Sequence, residues 1–181
     1  MTQPLSDNAM TAKERLAIPR QKMPERDPIE RGRDFEEVNL GLAERVAILE
    51  AKRCLQCKNA KCMTGCPVGI NIPGFLDLVA QGKFLEAAAV VRADNDLPAV
   101  TGRVCPQETQ CEAVCVRGVK GEPVAIGWLE RFVADYEREH RQGRPSAAAA
   151  RTGKKVACVG AGPSGITCAG QLAKMGHDVT V

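Results

Sequence analysis

The sequence predicts a largely α-helical domain followed by the incomplete start of an α/β domain, and three observations lead to this prediction. Seven of the nine cysteines lie between residues 54 and 115. Apolar residues recur at helical spacing in the stretches 43–53, 71–82, 84–92 and 125–139. From residue 155 onward, the pattern changes to an apolar strand, a glycine-rich turn, a helix and a second strand.

Composition divides the chain into four stretches. Residues 1–40 are polar and interrupted by proline, which predicts an extended lead-in that lies across another part of the molecule. Residues 41–140 contain the clustered cysteines and the predicted helices. Residues 141–153 are first charged and then small, which predicts a linker. Residues 154–181 carry the β-α-β pattern of the second domain, which we expect to be truncated.

The composition also indicates the compartment. Only 3% of the residues are aromatic, so the cysteine-rich part is expected to gain stability from something besides large side chains. No apolar run approaches the roughly 18 residues of a membrane span, and the first residues lack the apolar core of a secretory signal. We therefore expect a cytoplasmic protein with no membrane partner, in which cysteines bind metal in preference to forming disulfides.

The spacing of the cysteines favours iron–sulfur clusters. The first run reads C-x2-C-x4-C-x3-C-P and the second reads C-P-x4-C-x3-C. Closely spaced thiolates on a turn bind one face of a [4Fe–4S] cubane, and a proline after the last ligand is typical of ferredoxin runs. Structural zinc, the alternative, usually uses paired C-x2-C motifs, of which there is one here. The candidate ligands are Cys54, Cys57, Cys62, Cys66, Cys105, Cys111 and Cys115.

Two cubanes need eight ligands, and this region offers seven thiolates. Either one cluster has three cysteine ligands, or another residue completes it. His140 and His177 are distant in sequence, whereas Glu108, Glu112, Glu122 and Glu130 are nearer. Glu130 lies at the border of the apolar stripe of the helix at 125–139, where a carboxylate is able to point inward. The residues alone favour a solvated glutamate. The two remaining cysteines, Cys158 and Cys168, alternate with apolar neighbours and are predicted to be small buried residues.

The glycine-rich turn is typical of a dinucleotide site. Its residues are Gly160, Ala161, Gly162, Pro163, Ser164 and Gly165. In this motif the first glycine permits the tight turn, the second lets a pyrophosphate approach the backbone, and the third lets the helix pack on the strand. The helix N-terminus attracts the phosphates. The acidic residue expected to bind the ribose would follow Val181.

Taken together, these motifs resemble the family of the small, NADPH-oxidising subunit of glutamate synthase. The similarity is carried by the first cysteine run and by TGRVCPQETQCEAVC at 101–115, VAIGWLERFVADY at 124–136 and GAGPSG at 160–165. The segment 19–41 is more similar still to homologues from anaerobes and archaea, such as the large subunit of NADH-dependent ferredoxin:NADP oxidoreductase. The N-terminal part of dihydropyrimidine dehydrogenase is a more distant relative.

The resemblance implies an α-helical, ferredoxin-like domain with two [4Fe–4S] clusters, followed by a Rossmann-type FAD-binding domain and an NADPH-binding domain. It implies that one cluster is bound by Cys54, Cys57, Cys62 and Cys115. The other would be bound by Cys66, Cys105, Cys111 and Glu130, at whose position dihydropyrimidine dehydrogenase has a glutamine. The turn at 160–165 would bind FAD, in an incomplete site. The NADPH domain would lie outside this chain, which we expect to be inactive alone, and no catalytic residue is assigned.

The implied function is electron transfer. NADPH would reduce FAD, and electrons would pass through the clusters to a partner subunit, similar to the glutamate synthase large subunit, or to ferredoxin. A ferredoxin:NADP oxidoreductase or sulfide dehydrogenase subunit, with a small flavin subunit as partner, is the alternative. A non-enzymatic electron-relay module is another, and the choice between NADPH and NADH is open. Cluster binding would offset the formal charge of +3, so no nucleic-acid partner is expected.

Overall fold

A computed structural model describes residues 10–141 and 149–181 of the chain. Residues 1–9 of the predicted lead-in and 142–148 of the predicted linker lie outside the described residues. Eight α-helices and two strands are seen in the described ranges. They are α1 (Ala12–Ala17), α2 (Glu44–Ala51), α3 (Lys61–Thr64), α4 (Ile72–Ala80), α5 (Phe84–Asp94), α6 (Pro98–Val104), α7 (Ile126–His140), β1 (Lys155–Ala157), α8 (Pro163–Lys174) and β2 (Asp178–Thr180).

The helical hairpin α4–α5 begins and turns where local chemistry requires it. The side chain of Asn71 accepts a hydrogen bond from the backbone amide of Gly74 at 3.1 Å, which caps the start of α4. Pro73 lies in the first turn, where its missing amide costs nothing. Gly82 adopts a positive φ of 74° and reverses the chain before α5. Helices are therefore observed in both stretches, 71–82 and 84–92, for which helical spacing predicts them.

The core is formed by one face each of α2, α4, α5 and α7. Small residues of α2 and α5 let the helices approach closely, and three of the six aromatic side chains pack together. The ring of Phe84 contacts those of Phe132 and Tyr136 at centroid distances of 5.0 and 4.8 Å. Apart from Phe75, the larger core consists of aliphatic and alanine side chains, among them Ala47, Ala51, Ile72, Leu76, Val79, Ala87, Val91, Leu129 and Val133.

The lead-in packs on the cysteine-rich part of the chain. It contains the short helix α1, capped by Thr11 and Glu14, and an isolated bridge between Glu25 and Asn39. It is thus less extended than predicted, because local capping and turn bonds compete with an open conformation. Its Arg15 donates a hydrogen bond of 2.9 Å to the carbonyl oxygen of Cys54. The lead-in therefore reaches the segment that carries the first cysteine.

The second unit is a β-α-β arrangement. Strands β1 and β2 are parallel, with Val156 opposite Val179, and α8 connects them. The amide of Thr152 donates to the carbonyl oxygen of Gly176 at 3.0 Å. Residues 149–153, predicted as linker, therefore pack on this unit.

The predicted burial of Cys158 and Cys168 is wrong. Cys158 is half-buried and Cys168 is exposed. A single helix on a two-stranded sheet covers one side of each element, so apolar neighbours in the sequence do not ensure burial. Ala169, beside Cys168, is buried.

Within residues 10–141 and 149–181, none of the helices is both long enough and apolar enough to span a membrane.

Candidate iron–sulfur sites

The first cysteines lie on the segment between α2 and α4. Cys54 follows the end of α2, and the turn to Cys57 contains Gln56, which has a positive φ of 52°. The Gln56 side-chain amide donates a hydrogen bond of 3.1 Å to the carbonyl oxygen of Pro73 in α4. This bond fastens the turn to α4, so the spacing between the two thiols is fixed by the helical core.

Cys115 meets these cysteines from a distant part of the chain. Cys54, Cys57, Cys62 and Cys115 line one cavity. Burial raises the pKa of Cys54 to about 11, and the charges of Cys115 and Cys57 act in the same direction. Burial likewise raises the pKa of Cys62 to about 11, together with the charges of Cys54 and Cys115. The four thiols therefore lie around one enclosed space, in the grouping that the resemblance implies.

Cys66, Cys105, Cys111 and Glu130 form a second group. Burial raises the pKa of Cys111 to about 12, and the charges of Glu112, Cys66, Cys105 and Glu130 raise it further. The pKa of Cys105 is raised by burial and then by Glu130 and Cys66. Cys66 and Glu130 act on both Cys105 and Cys111, and Coulomb interactions weaken with distance, which indicates that the four groups lie in one neighbourhood.

A glycine allows Cys66 to approach Cys111. A Cβ atom on Gly65 would lie 3.0 Å from the carbonyl oxygen of Gln110 and 3.3 Å from the Cα atom of Cys111. Such distances leave no room for a larger residue. Glycine at position 65 therefore brings the end of the first cysteine run against the middle of the second.

Glu130 is buried, with 7% of its surface exposed. Its Oε1 atom accepts a hydrogen bond of 2.5 Å from the Thr101 hydroxyl and one of 2.9 Å from the Asn95 side-chain amide. Burial raises the pKa of the carboxyl group, and these two bonds act in the opposite direction. The interpretation of Glu130 as a solvated helix residue, which the residues alone favour, is therefore wrong.

The other candidate carboxylates are either bonded to other protein groups or exposed. Glu112 is also buried, but its Oε2 atom forms an ion pair of 2.9 Å with Arg20, and its Oε1 atom accepts from the amide of Gly127. Glu108 and Glu122 are exposed. Glu130 thus combines burial, neutral hydrogen-bond partners and proximity to three cysteines.

The donor sets fit cubane clusters better than a single metal ion. Within 10–141 and 149–181, no three His, Cys, Asp or Glu side chains converge closely enough to hold one ion, whereas zinc requires its thiolates about 2.3 Å away. A cubane attaches each ligand to a different iron, which places the ligands farther apart. All nine cysteines are free thiols.

Sequence reasoning missed Asn95 and Thr101 because it predicted no helix between 93 and 124. The available signal was Pro98, since proline in the first turn favours a helix start. Helix α6 begins there and places Thr101 one turn before Cys105. The helix also brings Thr101 to α7.

The glycine turn of the β-α-β unit has the backbone form that its motif requires. Gly160 has a positive φ of 105°. A Cβ atom on Gly165 would collide with the carbonyl oxygen of Gly160, so this position also needs glycine. Gly162 precedes α8, and Pro163 occupies its first turn. Ala161 and Ser164 are exposed beside them. The N-terminus of α8 is therefore exposed at this turn.

Comparison with known proteins identifies the helical part. A family model described as dihydropyrimidine dehydrogenase domain II, 4Fe-4S cluster, matches residues 31–142. The glutamate synthase [NADPH] small chain of Bacillus subtilis is 37% identical over 175 residues, which cover 92% of this chain and 35% of the relative. That of Escherichia coli is 39% identical over 148 residues, which cover 82% and 31%.

Glutamate synthase [NADH] of Schizosaccharomyces pombe is 35% identical over 158 residues, which cover 86% of this chain and 7% of that protein. The chain spans about a third of the length of the bacterial small chains. The match to the cluster-domain model covers more than half of the chain and includes all seven clustered cysteines and Glu130. The chain therefore belongs to the family of the 4Fe–4S domain of dihydropyrimidine dehydrogenase, and over most of its length it is similar to glutamate synthase small chains.

Proposed function

We propose that the chain is the electron-relay part of an NADPH-dependent iron–sulfur flavoprotein oxidoreductase of the glutamate synthase small-chain type. The observation that carries this proposal is that Cys54, Cys57, Cys62 and Cys115 line one cavity of a helical fold. The effects of Cys66, Cys105 and Glu130 on Cys111 support a second set in the same fold. The glycine turn of a β-α-β unit, which follows in the same chain, also supports the proposal. The names of the bacterial relatives, glutamate synthase [NADPH] small chain, agree with it.

The proposed ligands divide into two sets. Cys54, Cys57, Cys62 and Cys115 hold one [4Fe–4S] cluster. Cys66, Cys105, Cys111 and Glu130 hold the other. When bound, the clusters supply one-electron transfer. The chain buries Cys54 and Cys111, half-buries the other five cysteines, and positions them through α2, α4, α6 and α7.

We further propose that the glycine turn at 160–165 binds the pyrophosphate of FAD. The open N-terminus of α8 provides amide donors and a partial positive charge for phosphate oxygens. We assign no residue of this chain to an NADPH site. The electron acceptor is a partner subunit, similar to the glutamate synthase large subunit or a small flavin subunit, or else a ferredoxin. The bacterial relatives are small chains by name, which supports a partner subunit.

The decisive experiment is metal analysis of the chain purified without oxygen. We expect about eight irons and eight sulfides per chain, with broad absorption near about 400 nm, because two cubanes are bound. Cys57→Ser should lower the iron content, whereas the matched variant Cys158→Ser, outside both groups, should not. Stoichiometric zinc in a colourless protein would contradict the proposal.

Adding FAD to the same preparation separates the flavoprotein from a non-enzymatic relay. A flavoprotein fragment with a usable turn should bind FAD, and Gly162→Val should weaken binding without changing the iron content. Clusters without measurable FAD binding would favour the relay.

A further inference from the structure

The polar contacts of Glu130 are concentrated on one of its two carboxylate oxygens. The Thr101 hydroxyl lies 2.5 Å from Oε1, and the Asn95 side-chain amide lies 2.9 Å from the same atom. The Asn95 amide also donates to the Thr101 hydroxyl oxygen at 2.7 Å. Asn95, Thr101 and Glu130 thus form a closed triangle of hydrogen bonds.

The direction of each bond in this triangle is determined. The Asn95 carbonyl oxygen accepts from the backbone amide of Leu97 at 3.0 Å, so the NH₂ end of the side chain must face Thr101 and Glu130. A threonine hydroxyl has one proton. Two acceptors lie near this proton, the carbonyl oxygen of Leu97 at 3.1 Å and Oε1 of Glu130 at 2.5 Å. Because an ionised carboxylate is acceptor-only and lies closer, the proton serves Glu130, while the hydroxyl oxygen accepts from Asn95. Both donors therefore converge on Oε1.

The location of Thr101 depends on a close helix contact. A Cβ atom on Gly102 would lie only 2.6 Å from the backbone nitrogen of Arg131. Helix α6 therefore touches the backbone of α7 one residue after both Thr101 and Glu130. Asn95, at the end of α5, is fixed separately by its bond to Leu97. The two donors thus reach the carboxylate from separate, ordered segments.

From this geometry we infer that Thr101 and Asn95 are positioning residues that hold Glu130 by Oε1, so that Oε2 is directed to the iron of the cluster bound by Cys66, Cys105 and Cys111. The inference rests on the proposed ligand role of Glu130. Two uncharged donors on one oxygen fix the orientation of the carboxylate. Hydrogen bonds from surrounding residues orient metal ligands in the same way. By withdrawing electron density from the carboxylate, the two donors also favour the reduced cluster.

The test is a redox titration of the chain purified without oxygen, with each reduced cluster followed by electron paramagnetic resonance. Thr101→Val should shift the midpoint potential of the carboxylate-bound cluster to lower values. A tenfold change in its reduction equilibrium equals about 59 mV for one electron. The all-cysteine cluster should keep its potential and its signal. Thr101→Ser, which keeps the hydroxyl, should restore the wild-type potential.

Thr109→Val is the matched control, because the Thr109 hydroxyl donates to the carbonyl oxygen of Pro106 in the same cysteine-bearing segment. It should leave both clusters unchanged. If Thr101→Val loses iron, Thr101→Ala removes the hydroxyl without a second methyl group and should show the same shift. A lower melting temperature with unchanged potentials and signals in the Thr101 variants would mean that the triangle only supports the fold, which overturns the inference.

Glu130→Ala, which removes both carboxylate oxygens, distinguishes failure of the inference from failure of the ligand assignment. If Glu130→Ala alters the signal of one cluster but the Thr101 variants do not, the inference alone is wrong. If Glu130→Ala leaves both signals unchanged, Glu130 is not a ligand, and the assignment and the inference fall together.

Discussion

Arg53 is an almost fully buried cation that joins three segments next to the first candidate ligand. Its guanidinium lies 2.5 Å from Glu50, and the two side chains are 1% and 0% exposed. It also donates to the carbonyl oxygens of Ile18, Pro123 and Glu122. Buried charges need such complete pairing, because the interior does not replace the water that each ion loses. The pair therefore links the lead-in and the start of α7 to the end of α2.

We expect Arg53→Met to destabilise the protein strongly. The substitution leaves Glu50 charged and buried without its cation, which costs about 3–5 kcal/mol in comparable cases. Urea unfolding followed by circular dichroism measures the change in unfolding free energy. Arg138→Met is the control, because Arg138 is 67% exposed in its pair with Asp135. Equal losses in the two variants would contradict this account of the buried pair.

Single residues also show what sequence patterns are able to predict. Cys54, Cys57, Cys62 and Cys115 line one cavity. Local spacing predicts that the first three lie together, whereas only the family resemblance implies Cys115, because Cys115 is distant in sequence. The burial of Glu130 did not follow from its border position, since burial depends on α6, which was not predicted. The predicted burial of Cys168 was wrong because apolar neighbours in the sequence do not show which face of a helix is covered by another element.

At the scale of elements, the contact between α6 and α7 places Thr101 beside Glu130. Gly102 makes it possible, since a Cβ atom there would lie 2.6 and 2.8 Å from the nitrogen and Cα atoms of Arg131. The four longer helices of the core were predicted because caps and apolar periodicity are local signals. Helix α6 has seven residues and begins with proline after an irregular segment, so its periodicity is too short to recognise.

Gly102→Ala should destabilise the protein, although alanine is normally the better helix residue by about 1 kcal/mol. The added methyl group would force α6 away from α7, at a cost of about 1–3 kcal/mol for overpacking. Unfolding in urea measures the loss. Gly118→Ala is the control, because the nearest atom to its Cβ would be 3.7 Å away, an ordinary contact. A stabilised Gly102→Ala protein would show that the two helices separate without cost.

At the scale of the whole molecule, the two donor groups connect parts of the chain that are far apart in sequence. The first group draws on residues 54–62 and on Cys115, and the second on Cys66, Cys105, Cys111 and a helix that begins at residue 126. Between α6 and α7, the chain has only short 3-10 turns. Such a stretch has few backbone bonds of its own, so we expect the clusters to fix its position.

Removing the iron should therefore cost most of the helical circular dichroism of the chain. Only 3% of the residues are aromatic, so the core gains little from large side chains, and metal binding at such sites is coupled to folding. The buried Cys54 and Cys111 thiols have pKa values raised to about 11 and about 12. At neutral pH the iron-free protein thus holds them protonated, with no bond that replaces the cluster.

Far-ultraviolet circular dichroism measures the effect. Spectra are recorded before chelation, after chelation, and after anaerobic return of iron and sulfide. Recovery of the signal on reconstitution distinguishes loss of the clusters from irreversible damage, and native helical content in the iron-free protein would show that the aliphatic core of α2, α4, α5 and α7 is stable by itself.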